Sequence, residues 1–116
     1  MSTARVFDYP FATIYPLYLQ KVARKGRTAQ ELDAALGWLT GYDAAGLQRQ
    51  VDAQVDLRGF FAAAPALHPD RERITGVVCG VRVEAIDDPL LRLIRQMDKL
   101  VDELAKGKPL AKVLRA

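Results

Sequence analysis

The chain has 116 residues, half of them apolar and 27% charged, with seventeen basic and fourteen acidic residues giving a formal net charge of +3. That composition matches a folded globular protein and excludes a disordered, collagen-like or fibrous chain. The length predicts a single domain over residues 1–116, and so small a positive excess does not by itself require nucleic acid or an anionic membrane as partner.

In chain order, Leu17, Leu19, Val22 and Ala23 share an apolar surface up to Gly26, which offers a left-handed stop. A first helix is expected near 12–25, kinked if it starts before Pro16. Thr28 and Glu31 stand at capping-box spacing ahead of Leu32, Ala35, Leu36 and Leu39, predicting a second helix near 29–40. Gly41 breaks it. Asp43 caps a third helix, near 43–54, on which Leu47, Val51 and Val55 recur every fourth position. Asp56 caps a short fourth helix carrying Leu57, Phe60 and Phe61, and Ala62 to Pro69 reads as a proline-punctuated loop. Asp88 and Pro89 open a long amphipathic helix through Leu90, Leu93, Ile94, Met97, Leu100, Val101 and Leu104. Lys106, Gly107 and Pro109 close it, and Leu110, Val113 and Leu114 form a last turn.

The stretch Ile74 to Ile86 is ambiguous, because its β-branched residues favour a strand whereas Thr75 and the Gly76/Gly80 pair suit a capped, closely packed helix. A strand needs a partner, and the other candidate is the short stretch Ala4 to Tyr9, so the preferred expectation is a helical first half passing into an extended Arg82 to Ile86. In that helix Gly76 and Gly80 would share one face without side chains, letting another backbone pack closely. The expected fold is therefore all-α, a compact bundle of five or six helices with 74–86 as a possible short strand, and α+β as the alternative.

One cysteine, Cys79, cannot form an intrachain disulfide, so a disulfide-stapled secreted scaffold is excluded and a reducing compartment is expected. Asp8, Pro10, Thr13 and Pro16 interrupt every apolar stretch of the N-terminus, leaving no signal-peptide core. No window approaches the roughly 18 apolar residues of a membrane span. The expected location is the cytoplasm.

Charge is unevenly spread: residues 1–30 carry +4, residues 31–88 carry −5 and residues 89–116 carry +4. The two ends either meet on one face as a basic patch or are drawn to the acidic middle.

The strings Lys25 to Thr28 (KGRT), Trp38 to Asp43 (WLTGYD), Ile74 to Glu84 (ITGVVCGVRVE) and Leu100 to Pro109 (LVDELAKGKP) resemble a small bacterial family, the domain of unknown function DUF2200. The resemblance runs from about Tyr9 to Arg115. It implies a freestanding small bacterial protein and brings no activity, cofactor or site residue with it.

Among chemical candidates, Cys79 sits between valines, where a buried thiol with a raised pKa is expected rather than a nucleophile. His68, the lone histidine, lies in a loop, and a Cys79–His68 pair has no support from spacing. A metal would have to rely on carboxylates such as Asp70, Glu72, Asp87 and Asp88, which show no ligand spacing, and the latter two read as helix-start residues. No metal or cofactor is expected. Gly26 to Thr28 lacks the strand and first glycine of a phosphate loop. Helices two and three could form a helix-turn-helix, yet Gln48, Arg49, Gln50, Asp52 and Gln54 include one basic residue where a groove-reading helix needs a positive field. Lys21, Arg24, Lys25 and Arg27 are the better phosphate contacts, weighed against a solvated helix end beside its negative pole. Trp38, Tyr42, Tyr15 and Tyr18 read as core and rim aromatics.

The expected function is a small helical binding or protein-interaction module without catalytic activity, its partner an unknown protein or a second copy in a homodimer. The alternatives are a nucleic-acid-associated protein using its basic termini weakly, or a small enzyme using Cys79 or a carboxylate cluster. No membrane partner is expected.

Overall fold

The computed structural model describes residues 6–115. Among them, four helices come first: α1 (Phe11–Ala23), α2 (Ala29–Thr40), α3 (Ala44–Asp52) and α4 (Leu57–Ala62). A two-stranded hairpin follows, β1 (Val77–Val78) with β2 (Val81–Arg82), then α5 (Pro89–Ala105) and α6 (Leu110–Val113). Single 3₁₀ turns at Arg71–Arg73 and Val83–Ala85 flank the hairpin. The fold is mostly α with a short antiparallel sheet. No helix among the described residues is long and apolar enough to cross a membrane.

Helix starts follow side-chain chemistry. Thr28 accepts from the Glu31 N–H at 3.1 Å while Glu31 accepts from the Thr28 N–H at 3.2 Å, so each satisfies a donor the helix leaves open. Asp43, Asp56 and Asp88 do the same for Gly46, Gly59 and Leu91 at 2.6–2.9 Å. At the far end of α1, Gly26 takes φ +75°, and the Arg27 N–H bonds back to the Val22 carbonyl at 3.0 Å.

Helix α1 begins at Phe11, five residues before Pro16, and therefore forgoes one internal hydrogen bond. Tertiary contacts offset this. The Phe11 N–H donates to the Val55 carbonyl at 2.7 Å, and the Leu57 N–H to the Tyr9 carbonyl at 2.9 Å, tying the helix start to the α3–α4 connection. The Phe11 ring, fully buried, stacks on Phe60 at 4.1 Å.

Helix α5 is the axis of the molecule. Its Ile94, Met97, Leu100, Val101 and Leu104 are buried against α1 and α2, each such side chain contributing about 1.5–3 kcal/mol. Gln96 Oε1 is buried without a partner among the described residues, but other buried polar groups are satisfied: the Tyr42 hydroxyl donates to the Phe60 carbonyl at 2.7 Å, and Glu103 holds Arg115 through two hydrogen bonds of 2.6 and 3.1 Å. The latter pair pins the C-terminal end of the chain beneath α5.

The Ile74 to Ile86 segment departs from the helical expectation. Val77 pairs with Arg82 and Val78 with Val81, and the turn between them places Cys79 at φ +52° and Gly80 at φ +76°. Two consecutive positive φ values define the turn that matches the twist of a two-residue hairpin, and Gly80 accepts its place there without a Cβ clash. The strand's partner is thus the segment itself folded back. The expected close-packing role of Gly76 and Gly80 is overturned: a Cβ on Gly80 would meet nothing within 4 Å, and one on Gly76 would meet only the flexible end of Lys99 at 3.2 Å.

Candidate functional site

The last turns of α1 and α5 lie side by side, so the basic stretch ending α1 faces the basic stretch following α5. Between them is a cleft of about 550 Å³ lined by Lys21, Arg24 and Lys25 from one side and Asp102, Lys106 and Gly107 from the other. A second cleft of about 530 Å³ shares Lys106 and Gly107 and adds Lys99, Lys108 and Lys112, with Glu103 as its acid. The basic stretch ending α1 and the one around the end of α5 therefore do meet on one face. Seven cations surround two carboxylates there; because the whole chain carries only +3, everything else is net negative and the field is polarised.

Within this patch the charges divide into held and unheld groups. Asp102 is the hub: its carboxylate takes Lys106 at 3.0 Å, Lys21 at 3.4 Å and Lys99 at 4.0 Å. Burial opposes ionisation of Asp102, but hydrogen bonds from Lys106 and Lys21 outweigh it and hold the carboxyl below its ordinary range. Lys21 and Lys106 nevertheless keep 46% and 70% of their side chains exposed, enough to turn toward a ligand. Arg24 and Lys25 form no ion pair among the described residues. Attraction to the negative helix ends accounts for a cation or two at each terminus, but not for seven around one loop.

Arg27, the fourth cation singled out in the sequence, is engaged elsewhere. Its guanidinium bonds Glu31 at 2.7 and 3.1 Å and the carbonyls of Leu104 and Lys108 at 3.2 and 2.8 Å. Only 13% of its side chain is exposed. It staples the α1–α2 turn to the end of α5 and so fixes the spacing of the cleft walls. The C-terminal half of the patch, Lys99 through Lys112, was not singled out as a site; its signal was the +4 charge of residues 89–116.

Cys79 is exposed at the hairpin tip, not buried as expected, because the turn directs it away from the valine packing. Its sulfur lies 3.9 Å from an Asp98 carboxylate oxygen. Asp98 also takes the Tyr18 hydroxyl and, at 2.9 Å, Arg95. Burial, reinforced by the Asp98 charge, pushes the Tyr18 hydroxyl far above its ordinary pKa and keeps it a donor. These groups edge a cavity of about 250 Å³ under the hairpin, walled by Tyr9, Ile14, Leu17 and Ile94.

His68 is engaged separately from Cys79. It stacks on Trp38 at 4.0 Å and accepts from the Asp70 N–H at 3.0 Å. Of the carboxylates weighed for a metal, Asp88 caps α5 and Glu72 pairs with Arg92 at 2.8 Å. Among the described residues no three His, Cys, Asp or Glu side chains converge as metal ligands. On α3, Gln48 donates to Asp52 at 2.9 Å, which leaves the face proposed for groove reading self-paired in part.

Comparison with solved structures places the fold beside the crystal structure of uncharacterized protein SP1917, with a TM-score of 0.91 and 44% identity over 99% of this chain and 93% of that one. Among curated proteins, none matches. A family model described as an uncharacterized protein conserved in bacteria matches residues 5–115, and the chain therefore belongs to that family, DUF2200.

Proposed function

We propose that this protein is a small non-enzymatic binding module that holds the phosphodiester backbone of nucleic acid in the cleft between the ends of α1 and α5. The observation that carries this is the convergence of both basic chain ends on one loop, with Arg24 and Lys25 outside any ion pair among the described residues. Lysine and arginine side chains on an open surface suit a repeating anion, whose binding gains from released counterions and needs no deep pocket. The mixed geometry of the patch, contributed by helix ends and a loop rather than by a groove-filling helix, supports recognition without sequence reading. The cytoplasm is the compartment this reading assigns, where nucleic acid is at hand and an exposed thiol such as Cys79 stays reduced.

The test is fluorescence anisotropy of a labelled oligonucleotide against the purified protein, repeated across salt. Binding at about 50 mM salt that falls linearly on a log–log plot and is lost by about 200 mM is expected. Arg24→Glu with Lys25→Glu should abolish it while leaving the fold intact, since both side chains are exposed. Absence of binding at low salt, or binding indifferent to the double variant, overturns the proposal.

A second reading, a homodimer or protein-interaction module, is favoured by one observation: Leu17, Val77 and Val81 are 56%, 49% and 39% exposed on the hairpin side. Its test is the mass in solution by light scattering, with Val77→Ser as the variant that should return a dimer to monomer.

A further inference from the structure

The basic cleft and the cavity under the hairpin are consecutive stretches of one seam. On α1, Leu17 lines the cavity, while Lys21 and Arg24 line the cleft. Their spacing of four and three residues puts them on one face, about 6 and 10 Å beyond Leu17 along the axis. On α5, Asp98 edges the cavity and Asp102, one turn on, sits in the cleft. The seam is therefore apolar at the hairpin and cationic at Gly107. Leu17, 56% exposed, lines the cavity, and Cys79, in the turn of the hairpin, stands at its edge.

The cavity's own chemistry narrows what fits there. At about 250 Å³ it lies below the roughly 300–1,000 Å³ of pockets for drug-sized ligands, a size for one ring system rather than an extended molecule. Its walls are aliphatic and aromatic, yet Arg95 and Asp98 supply a donor and an acceptor at the edge. Arg95 spends one hydrogen bond on Asp98 and has further N–H groups to offer. An acyl chain would leave the remaining Arg95 donors unanswered. A nucleobase answers both parts, with an apolar face and an edge of donors and acceptors.

Resting on the polyanion reading above, we infer that the nucleic acid taken by this seam is single-stranded, with one unpaired base seated in the hairpin cavity while neighbouring phosphates lie on Lys21, Arg24 and Lys25. A base in a duplex is stacked and paired and does not reach such a cavity without being extruded, whereas an unpaired base enters freely. Charge complementarity fixes the direction: the anionic strand runs from the cavity toward Gly107, where the cations lie.

The experiment compares, by anisotropy at one low salt concentration, a single-stranded 12-mer, the matching duplex and an abasic strand of equal phosphate number, with anionic vesicles as a fourth arm. Base stacking of the usual strength predicts the single strand to bind about tenfold tighter than the abasic strand, and tighter than the duplex. Leu17→Ser, a neutral change at an exposed position, should reduce that ratio several-fold while the residual binding keeps its salt dependence. Equal affinity for the base-bearing and abasic strands, a preference for duplex, or a ratio unmoved by Leu17→Ser overturns the inference and leaves the cleft reading standing. Binding to vesicles with none to the oligonucleotides, or no salt-dependent binding to anything, overturns both.

Discussion

Replacing Asp102 by Asn should move stability and polyanion affinity in opposite directions. In the folded protein the Asp102 side chain is 15% exposed and gathers three lysine ammonium groups at 3.0, 3.4 and 4.0 Å. Pairs this close to solvent contribute roughly 0.2–1 kcal/mol each, and asparagine keeps the shape and one acceptor, so the expected loss of stability is about 1 kcal/mol. The sign with pH follows from the depressed carboxyl pKa: the contribution is present above the unfolded value near 4 and disappears as pH falls through the folded one. Wild type and variant should therefore differ at neutral pH and converge in acid. For an incoming phosphate some 6 Å away, removing this carboxylate relieves a repulsion of about 0.7 kcal/mol at the dielectric of bulk water, at least about threefold in affinity. Urea unfolding at several pH values reads the first quantity, and oligonucleotide anisotropy reads the second. Asp52→Asn on α3 controls for the change in overall charge. A variant as stable as wild type at neutral pH that binds no more tightly would refute the assignment of Asp102 as the charge hub of the cleft.

Three further outcomes are expected. Gly80→Ala should lower stability by about 1 kcal/mol through its left-handed backbone, with no steric contribution because the space around it is open; an unchanged or higher melting temperature would contradict the hairpin turn. Cys79 should react with a thiol reagent in the native state without unfolding, as its exposure dictates, and labelling that appears only in denaturant would place it in the core after all. Thr28→Ala should cost about 1 kcal/mol by removing the cap of α2, and a melt within experimental error of wild type would show that the cap is redundant.

Much of the helical framework was legible in the amino-acid order, because its signals are local. A capping side chain acts on a backbone N–H only two or three residues away, so Thr28, Asp43, Asp56 and Asp88 mark helix starts whatever else the chain does. The apolar period from Leu90 to Leu104 likewise announced the central helix. The hairpin was missed for the opposite reason. Its two strands are two residues each, too short for alternation to register, and the turn places Cys79, where Asn or Asp would be the familiar signal, at positive φ. With the turn went the burial of Cys79, inferred from its valine neighbours, and the role of Gly80, inferred from a helix.

The candidate site divides in the same way. That each end of the chain is basic was visible from charge alone, but whether the ends repel, pair with the acidic middle or share a face depends on how α1 and α5 pack. Contacts between residues some eighty positions apart settle it, bringing Lys21 to Asp102 and Tyr18 to Asp98. Arg27 illustrates the limit most plainly. In sequence it is one more cation beside Arg24 and Lys25, yet it closes on the carbonyls of Leu104 and Lys108 while its neighbours stay open to solvent. The sequence determines which side chains carry charge and where helices begin; only the packing of distant apolar faces decides which of those charges are consumed in holding the fold and which remain for a ligand.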